Sequence, residues 1–188
     1  MINRKENIAT MRTLATIALC ALSLLIASCS DSPTTTTDAG LGATTIEDMQ
    51  KNAAYRSWYE TGYNAYPEAG NQTAFNGFVD VIKNSFDPAT HSVVMAVKPN
   101  CGCQTTQLWM PRVMKALDAA GIPHDKIKVY ITDARLNGID EDTKNKNQLK
   151  EAPSFLVIKN DQVAGRIDVA PAAGQTVEQV LAGAFAKP

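Results

Sequence analysis

The sequence predicts an α/β fold in which a mixed β-sheet is flanked by helices, with an extra helical segment before the sheet. Short apolar runs typical of buried strands alternate with longer segments in which apolar residues recur at helical spacing. A helix of crossover length joins the first two of these strands, which favours parallel pairing. The last two strands are separated by Asn160 and Asp161, a turn typical of an antiparallel hairpin.

The chain opens with basic residues and an apolar run, a pattern typical of a secretory signal. The run covers residues 14–27 and is shorter than the stretch that a transmembrane helix usually requires. Small residues then precede Cys29, and this ending resembles a bacterial lipobox, whose cysteine is acylated and becomes the first residue of the mature chain. We therefore expect residues 1–28 to be a lipoprotein signal peptide and Cys29 to carry the lipid. Translation could start at Met1 or at Met11. Ordinary cleavage that leaves Cys29 as an incidental thiol is the alternative.

Behind this signal the sequence predicts one tethered domain. Residues 29–45 are polar, small and Thr-rich without periodicity, so we expect a flexible tether. Residues 46–188 have the size of one ordinary domain with a single core. A lipid at Cys29 would anchor this domain to a bacterial membrane in the cell envelope, facing the periplasm or the exterior. The net charge of -1 and the lack of a Lys/Arg patch in the sequence argue against a nucleic-acid partner.

Two helices are expected at the start of the folded part. Residues 46–66 are helix-like and unusually aromatic, and we expect these side chains to pack the helix on the domain. A peptide-binding platform is the alternative. The next helix ends before Pro88 and carries an apolar stripe at positions i, i+3, i+4, i+7 and i+11. The residues of this stripe are Phe75, Phe78, Val79, Ile82 and Phe86.

The middle of the chain is predicted to form a strand, a cysteine turn, a helix and a second strand. Residues 93–97 are an apolar run, and the apolar stripe of residues 110–120 predicts a helix that ends at Gly121. The second strand is predicted over residues 127–131. It precedes a polar stretch, residues 133–147, that we expect to be a loop.

The C-terminal part is predicted to form a hairpin and a helix. The strands of the hairpin are residues 155–158 and 163–169. Thr176 and Gln179 resemble a capping box, which predicts that the last helix begins there.

The triplet Cys101, Gly102 and Cys103 lies between the first predicted strand and the helix that follows it. Two cysteines at i and i+2 are near the upper limit that a disulfide can bridge, so the backbone must bend, and Gly102 allows the bend. The small ring would be strained, and strained disulfides are easily reduced. The triplet therefore predicts dithiol chemistry, in which a redox-active disulfide acts without a further cofactor.

Beyond the triplet, the order of the elements and the segment of residues 151–166, EAPSFLVIKNDQVAGR, are similar to the thioredoxin superfamily. The resemblance covers residues 93–188 and implies a thioredoxin-like mixed sheet with the cysteines at a helix N-terminus. It also implies a cis bond between Ala152 and Pro153, with Pro153 facing the dithiol. The implied activity is extracytoplasmic thiol-disulfide exchange on protein or small-thiol substrates.

The chain departs from the usual family pattern at three places. One residue, Gly102, separates the cysteines instead of two, and Asn100 stands where many members have a tryptophan. The strand before the cysteines is apolar around Met95 and lacks the buried acid of many thioredoxins. The reduction potentials typical of the family therefore cannot be assumed for this chain. Oxidase, reductase and isomerase activities all stay open.

Within the predicted site, Cys101 is the expected nucleophile and Cys103 the expected resolving cysteine, and the reverse assignment stays open. A helix N-terminus favours a thiolate, and Lys98 is an additional positive charge nearby in the sequence. Pro153 has no N–H to donate, so the adjacent backbone could pair with an extended substrate. The expected substrate-binding positions are Asn100, Gly102 and Ala152.

Two other classes of function stay open. A CxC pair can bind a soft metal such as Cu(I) or Zn(II), but His91, His124 and the methionines are not at metal-like spacing, and we expect no metal. Both histidines are expected to be solvated. The third class is a redox-silent binding module in which a disulfide between the cysteines only stabilises the turn. Closing so short a loop adds little stability, because the entropic gain is smallest for short loops. The physiological partner and the oligomeric state are not predicted.

Overall fold

The computed structural model describes residues 40–99 and 103–188. The predicted signal peptide, Cys29 and most of the predicted tether lie outside these residues, as does the segment 100–102. Within the described part, we find no helix with the length and apolar character that crossing a membrane requires.

A mixed sheet of five strands organises the described part of the chain. The strands are β1 (Gly42–Thr44), β2 (His91–Val97), β3 (Ile127–Ile131), β4 (Ser154–Lys159) and β5 (Gln162–Ile167). Their order in the sheet is β1-β3-β2-β4-β5. The pair β2 and β3 is parallel, whereas the other neighbouring pairs are antiparallel. The predicted parallel pair and the predicted hairpin are both confirmed.

Helices flank this sheet, so the mixed α/β architecture is confirmed. They are α1 (Ile46–Gln50), α2 (Ala53–Ala65), α3 (Gln72–Ser85), α4 (Gln104–Ala119), α5 (Glu141–Asn147) and α6 (Val177–Phe185). The helix expected over residues 46–66 is divided into α1 and α2. The division occurs at Asn52, whose side chain accepts a hydrogen bond from the Ala54 N–H and caps a new helix.

The polar stretch that was predicted to be a loop contains α5. Asp140 is the N-cap of this helix, and its carboxylate accepts hydrogen bonds from the N–H and the hydroxyl of Thr143 at 2.8 and 2.7 Å. Glu141 and Asp142 add negative charge at the same helix end, where the helix dipole favours it. The loop prediction is therefore wrong for Glu141–Asn147. Capping stabilises this helix rather than an apolar stripe, so hydrophobic periodicity did not reveal it.

Strand β1 lies within the segment that was predicted to be a tether. It pairs antiparallel with β3, with Gly42 opposite Ile131. The backbone near Gly138 approaches so closely that a Cβ there would lie 2.6 Å from the Gly42 nitrogen. Gly138 also has a φ of 92°, which favours glycine. The sheet therefore begins before residue 46, the predicted start of the domain.

Two apolar cores lie on opposite faces of the sheet. The side chains of β2 alternate between them, as the period of two in a strand requires. Val93, Met95 and Val97 belong to one core, and Val94 and Ala96 belong to the other. Residues of α1, α2, α3, α4 and α6 pack against the first core. The second core includes residues of the loops on either side of α5.

The aromatic helix α2 packs on α4. Tyr55 and Tyr59 are buried in the first core. At Gly62 the two helices approach so closely that a Cβ would lie 3.0 Å from the Pro111 ring. These contacts confirm the expected packing role of the aromatic segment.

Candidate functional site

Two predicted site residues lie at the same end of the sheet. Strands β2 and β4 are antiparallel, with Ala96 opposite Ser154. Pro153 immediately precedes β4, so it lies at the end of the sheet where the chain leaves β2 towards Cys103. The Ala152–Pro153 bond is cis, as the resemblance predicted.

Thr106 joins the end of β2 to the first turn of α4. Its hydroxyl oxygen accepts a hydrogen bond from the Lys98 N–H at 3.3 Å. The Thr106 side chain is 0 % exposed. A buried polar group is stable only when it has a hydrogen-bond partner, so this contact fixes α4 relative to the strand that precedes it. The sequence predictions did not include Thr106.

Cys103 is the N-cap residue of α4 and is half-buried. Burial alone would raise the pKa of its thiol, because it penalises the thiolate. The N–H and hydroxyl of Thr106, the charge of Lys98 and the N–H of Thr105 have the opposite effect, and the net result is a lowered pKa. The sulfur makes no capping hydrogen bond of standard geometry, so the N–H groups act on it mainly through their partial charges.

The loop before β4 is held by its own hydrogen bonds. The Ser154 hydroxyl donates to the Glu151 carbonyl at 2.6 Å, and both Pro153 and Ser154 are buried. The Ala152 side chain belongs to the second core, and the residue as a whole is 6 % exposed. The described structure thus brings Cys103, Ala152 and Pro153 to one end of the sheet. Three other predicted site residues, Asn100, Cys101 and Gly102, lie outside the described residues.

A buried ion pair fixes α4 from the side of α6. The Glu178 carboxylate is 0 % exposed and accepts two hydrogen bonds from Arg112, at 2.7 and 3.1 Å. The Arg112 guanidinium also lies 4.4 Å from the centre of the Tyr66 ring, a cation–π contact. Removing one partner of such a pair leaves an uncompensated buried charge. The sequence predictions missed this pair because its residues lie far apart in the chain.

A second polar cluster joins α1, α2 and the end of α4. Both ring nitrogens of His124 face carboxylates, Nδ1 that of Glu47 and Nε2 that of Asp118, the latter at 2.9 Å. The Tyr63 hydroxyl donates to the other oxygen of Asp118 at 2.7 Å. These residues line a cleft of about 210 Å³ that also includes Tyr59. His124 was expected to be solvated, but its half-exposed ring is ion-paired.

The two carboxylates raise the pKa of His124, the hydrogen bond to Glu47 most and the one to Asp118 next. Carboxylates only accept hydrogen bonds, so both ring nitrogens must donate, and the ring that satisfies both is the imidazolium. The same contact lowers the pKa of Glu47.

His91 was also expected to be solvated, and that expectation is wrong. The residue is only 3 % exposed, because its ring lies beside those of Phe86 and Phe185. Nδ1 accepts a hydrogen bond from the Asp87 N–H at 3.1 Å, whereas Nε2 has no partner among the described residues. His91 is buried because it packs against Phe185 of α6, which is far away in the sequence. The residues next to His91 in the sequence therefore do not indicate its burial.

Among residues 40–99 and 103–188, no group of three or more His, Cys, Asp and Glu side chains is placed to hold a metal ion. Cys101 is not among these residues. Comparisons with models of protein families, with curated proteins and with solved structures give no match for this chain.

Proposed function

We propose that this chain is a thioredoxin-like thiol-disulfide oxidoreductase that acts outside the cytoplasm through Cys101 and Cys103. The observation that carries the proposal is the position of Cys103. Its thiol has a lowered pKa at the start of α4, and the cis bond before Pro153 lies at the same end of the sheet. Thiolate is the reactive form in disulfide exchange, so a lowered pKa favours this chemistry.

The strand order supports the thioredoxin-like part of the proposal. A parallel pair, β2 and β3, is joined through α4, and an antiparallel hairpin, β4 and β5, lies on the other side of β2. This arrangement brings the last residues of β2 and the first residues of β4 to the same end of the sheet, with Ala96 opposite Ser154. In the sequence, the cysteine triplet follows β2 and Pro153 precedes β4.

In the reductive direction, the Cys101 thiolate attacks one sulfur of a substrate disulfide. A bond forms between Cys101 and that sulfur, the substrate S–S bond breaks, and the departing sulfur takes a proton from solvent. The Cys103 thiolate then attacks the Cys101 sulfur, forms the Cys101–Cys103 disulfide and releases the second substrate sulfur, which is also protonated. Two electrons pass from the dithiol to the substrate, and an oxidase runs the same steps in reverse.

Protein substrates suit the surroundings of Pro153. Proline lacks an N–H, so Pro153 does not itself donate a backbone hydrogen bond. The backbone beside it is the part of this loop that we expect to pair with an extended peptide carrying a thiol or disulfide. The lipid proposed at Cys29 would hold the domain at a bacterial membrane, in the envelope compartment where disulfides form and persist.

Catalysis of exchange by the full-length protein in detergent tests the proposal. One assay follows the reduction of fluorophore-labelled insulin by dithiothreitol, and the other follows the oxidative refolding of reduced ribonuclease in glutathione buffer. We expect the protein to accelerate at least one reaction. Cys101→Ser and Cys103→Ser should each return the rate to background, because each removes one sulfur of the couple.

Ser57→Ala is the control, because it removes a side-chain hydroxyl from an exposed position of α2, and it should leave the rate unchanged. A Cys101→Ser variant that keeps full activity would refute the assigned nucleophile. If neither reaction is accelerated, the oxidoreductase proposal fails. Copper or zinc bound in stoichiometric amount would then favour metal handling, and its absence would favour a redox-silent binding role.

A further inference from the structure

The loop between β3 and α5 contains the dipeptide Asn137–Gly138, in which a glycine directly follows an asparagine. An asparagine side chain deamidates when the backbone nitrogen of the next residue attacks the side-chain amide carbon. A glycine in that position favours the attack, because it has no Cβ to hinder the approach. Both residues are exposed, so water can reach them. The dipeptide is therefore a candidate site of chemical modification.

The modification takes place in two steps and consumes only water. In the first step, the Gly138 nitrogen gives its proton to solvent and forms a bond to Cγ of Asn137. The bond from Cγ to the side-chain nitrogen breaks, and that nitrogen takes up a proton and leaves as ammonia. The product is a cyclic succinimide. In the second step, water opens this ring at one of its two carbonyl carbons and leaves aspartate or isoaspartate at position 137.

The folded loop holds the reacting side chain in hydrogen bonds. The Asn137 Nδ2 group donates to Oδ2 of Asp133 at 2.7 Å, and the Asn137 N–H donates to Oδ1 at 3.1 Å. The Thr132 hydroxyl donates to the Asn137 carbonyl at 2.7 Å. Hydrogen bonds to an ionised acceptor are stronger than those between neutral groups. The nitrogen that must leave is therefore bound to a carboxylate, and both backbone groups of Asn137 are bonded as well.

The Asp133 carboxylate is ionised at neutral pH. Burial alone would raise its pKa, but the hydrogen bonds from Asn137 and from the Arg135 N–H, the latter at 2.8 Å, outweigh burial, and the pKa is lowered. The Gly138 nitrogen is one residue from an N–H group that contacts this carboxylate. Negative charge that develops on this nitrogen during the attack is disfavoured, because like charges repel.

Gly138 packs against the edge of the sheet. Its φ is 92°, and a Cβ here would lie 2.6 Å from the Gly42 nitrogen and 2.8 Å from the Ile131 carbonyl oxygen. Gly42 and Ile131 are opposite each other in the pair of β1 and β3. A change in backbone length beside Gly138 would therefore displace β1 from β3.

We propose that Asn137–Gly138 is a latent deamidation site, which the hydrogen bonds to Asp133 suppress in the folded protein and whose modification detaches β1. Aspartate at position 137 would place a second carboxylate where Asn137 now donates to Asp133, and the two negative charges would repel each other. Isoaspartate would in addition lengthen the backbone beside Gly138 by one carbon atom. The inference does not depend on the proposed oxidoreductase function.

The rate of deamidation tests the protective role of the fold. Full-length protein in detergent is incubated in mildly alkaline buffer, with and without urea. The tryptic peptide of residues 136–144 is then separated and read by mass. We expect the folded protein to deamidate about tenfold more slowly than the unfolded protein, a difference of about 1.4 kcal/mol in the barrier. Equal rates in the two buffers would overturn the proposal.

Variants of Asp133 separate its carboxylate from the rest of the fold. Asp133→Ala removes the acceptor and should raise the rate in the folded protein about tenfold. Asp142→Ala is the matched control and should keep the parent rate, because it removes an exposed carboxylate from the same tryptic peptide. Thermal unfolding shows whether each variant folds, and Asp133→Asn replaces Asp133→Ala if the latter does not. A folded Asp133 variant that deamidates as slowly as the parent would contradict the proposed role of Asp133.

Amide hydrogen exchange tests the effect on β1. Asn137→Asp reproduces one product of the reaction, and the amides of residues 42–44 should then exchange about tenfold faster, since a hydrogen bond to a charged group is lost. The amides of β4 should keep their rates. Asn145→Asp, at an exposed position of α5, is the control and should leave β1 unchanged. Parent rates for β1 in Asn137→Asp would show that the modification does not detach this strand.

Discussion

At the scale of single residues, the two ends of β2 show how differently polar groups are satisfied. At its C-terminal end, the Lys98 N–H reaches a buried hydroxyl, and that contact joins the strand to the helix that Cys103 caps. At its N-terminal end, His91 is buried, and only one of its ring nitrogens has a hydrogen-bond partner within residues 40–99 and 103–188. Because the Asp87 N–H donates to Nδ1, Nδ1 carries no proton, and the neutral ring carries its proton on Nε2.

The Nε2–H group of His91 leads to a prediction about the stability of the protein. His91→Phe should raise the free energy of unfolding by about 1 kcal/mol, since it removes a buried donor without an acceptor and keeps the ring beside Phe86 and Phe185. Asp87 is exposed, so its N–H can turn to water instead. Urea unfolding measures the effect. His91→Ala is the control and should lose stability, because it leaves a cavity. A His91→Phe protein as unstable as His91→Ala would contradict this account.

At the scale of elements, α4 is fixed to its neighbours by two ion-paired clusters. Glu178 of α6 holds Arg112 near the middle of the helix, and His124 joins Asp118 near its end to Glu47 of α1. The first cluster is buried, so loss of one partner is costly. The second is partly exposed, and solvent screening limits its contribution.

The second cluster makes the docking of α1 dependent on pH. The folded-state pKa of His124 is raised above the ordinary value of 6.5, so its stabilisation is fully present below pH 6.5 and is lost as pH rises through the folded-state pKa. The pKa of Glu47 is lowered from 4.5, so its share is present above that pH and is lost on acidification. Asp118 and the Tyr63 hydroxyl are the other titratable groups in direct hydrogen-bond contact with this cluster.

We expect urea unfolding to show that the protein is less stable at pH 8 than at pH 6, by about 0.5 to 1 kcal/mol after allowance for screening. His124→Gln should remove most of this difference, because glutamine does not titrate. Glu47→Gln should reduce the difference in part, since it removes one of the two carboxylates that face His124. An unchanged pH dependence in His124→Gln would show that this cluster is not its source.

At the scale of the whole molecule, sequence patterns predicted the elements that bury an apolar stripe. Helices α3, α4 and α6, the parallel pair and the hairpin all have such stripes or runs, and each was predicted near its observed bounds. Strand β1 and helix α5 were missed, because backbone pairing and an N-cap stabilise them without an apolar pattern.

The candidate site, like the fold, was predictable only where a local sequence pattern or the family resemblance indicated it. The apolar pattern after the cysteines placed Cys103 at a helix start, and the family resemblance predicted the cis bond before Pro153. The hydrogen bond between the Lys98 N–H and the Thr106 hydroxyl, the Glu178–Arg112 pair and the burial of His91 were not predicted. Each depends on residues that only the folded chain brings together, 66 positions apart in the case of the ion pair.

The measurement that tests the central claim most directly is the equilibrium reduction potential of Cys101 and Cys103 in the full-length protein. Samples equilibrated in glutathione buffers are trapped with an alkylating reagent, and the peptide of residues 84–112 is read by mass. We predict a reversible two-electron couple in which the two cysteines pair with each other. A pair that never forms this disulfide under any buffer, or that is held by a bound metal, would contradict the account.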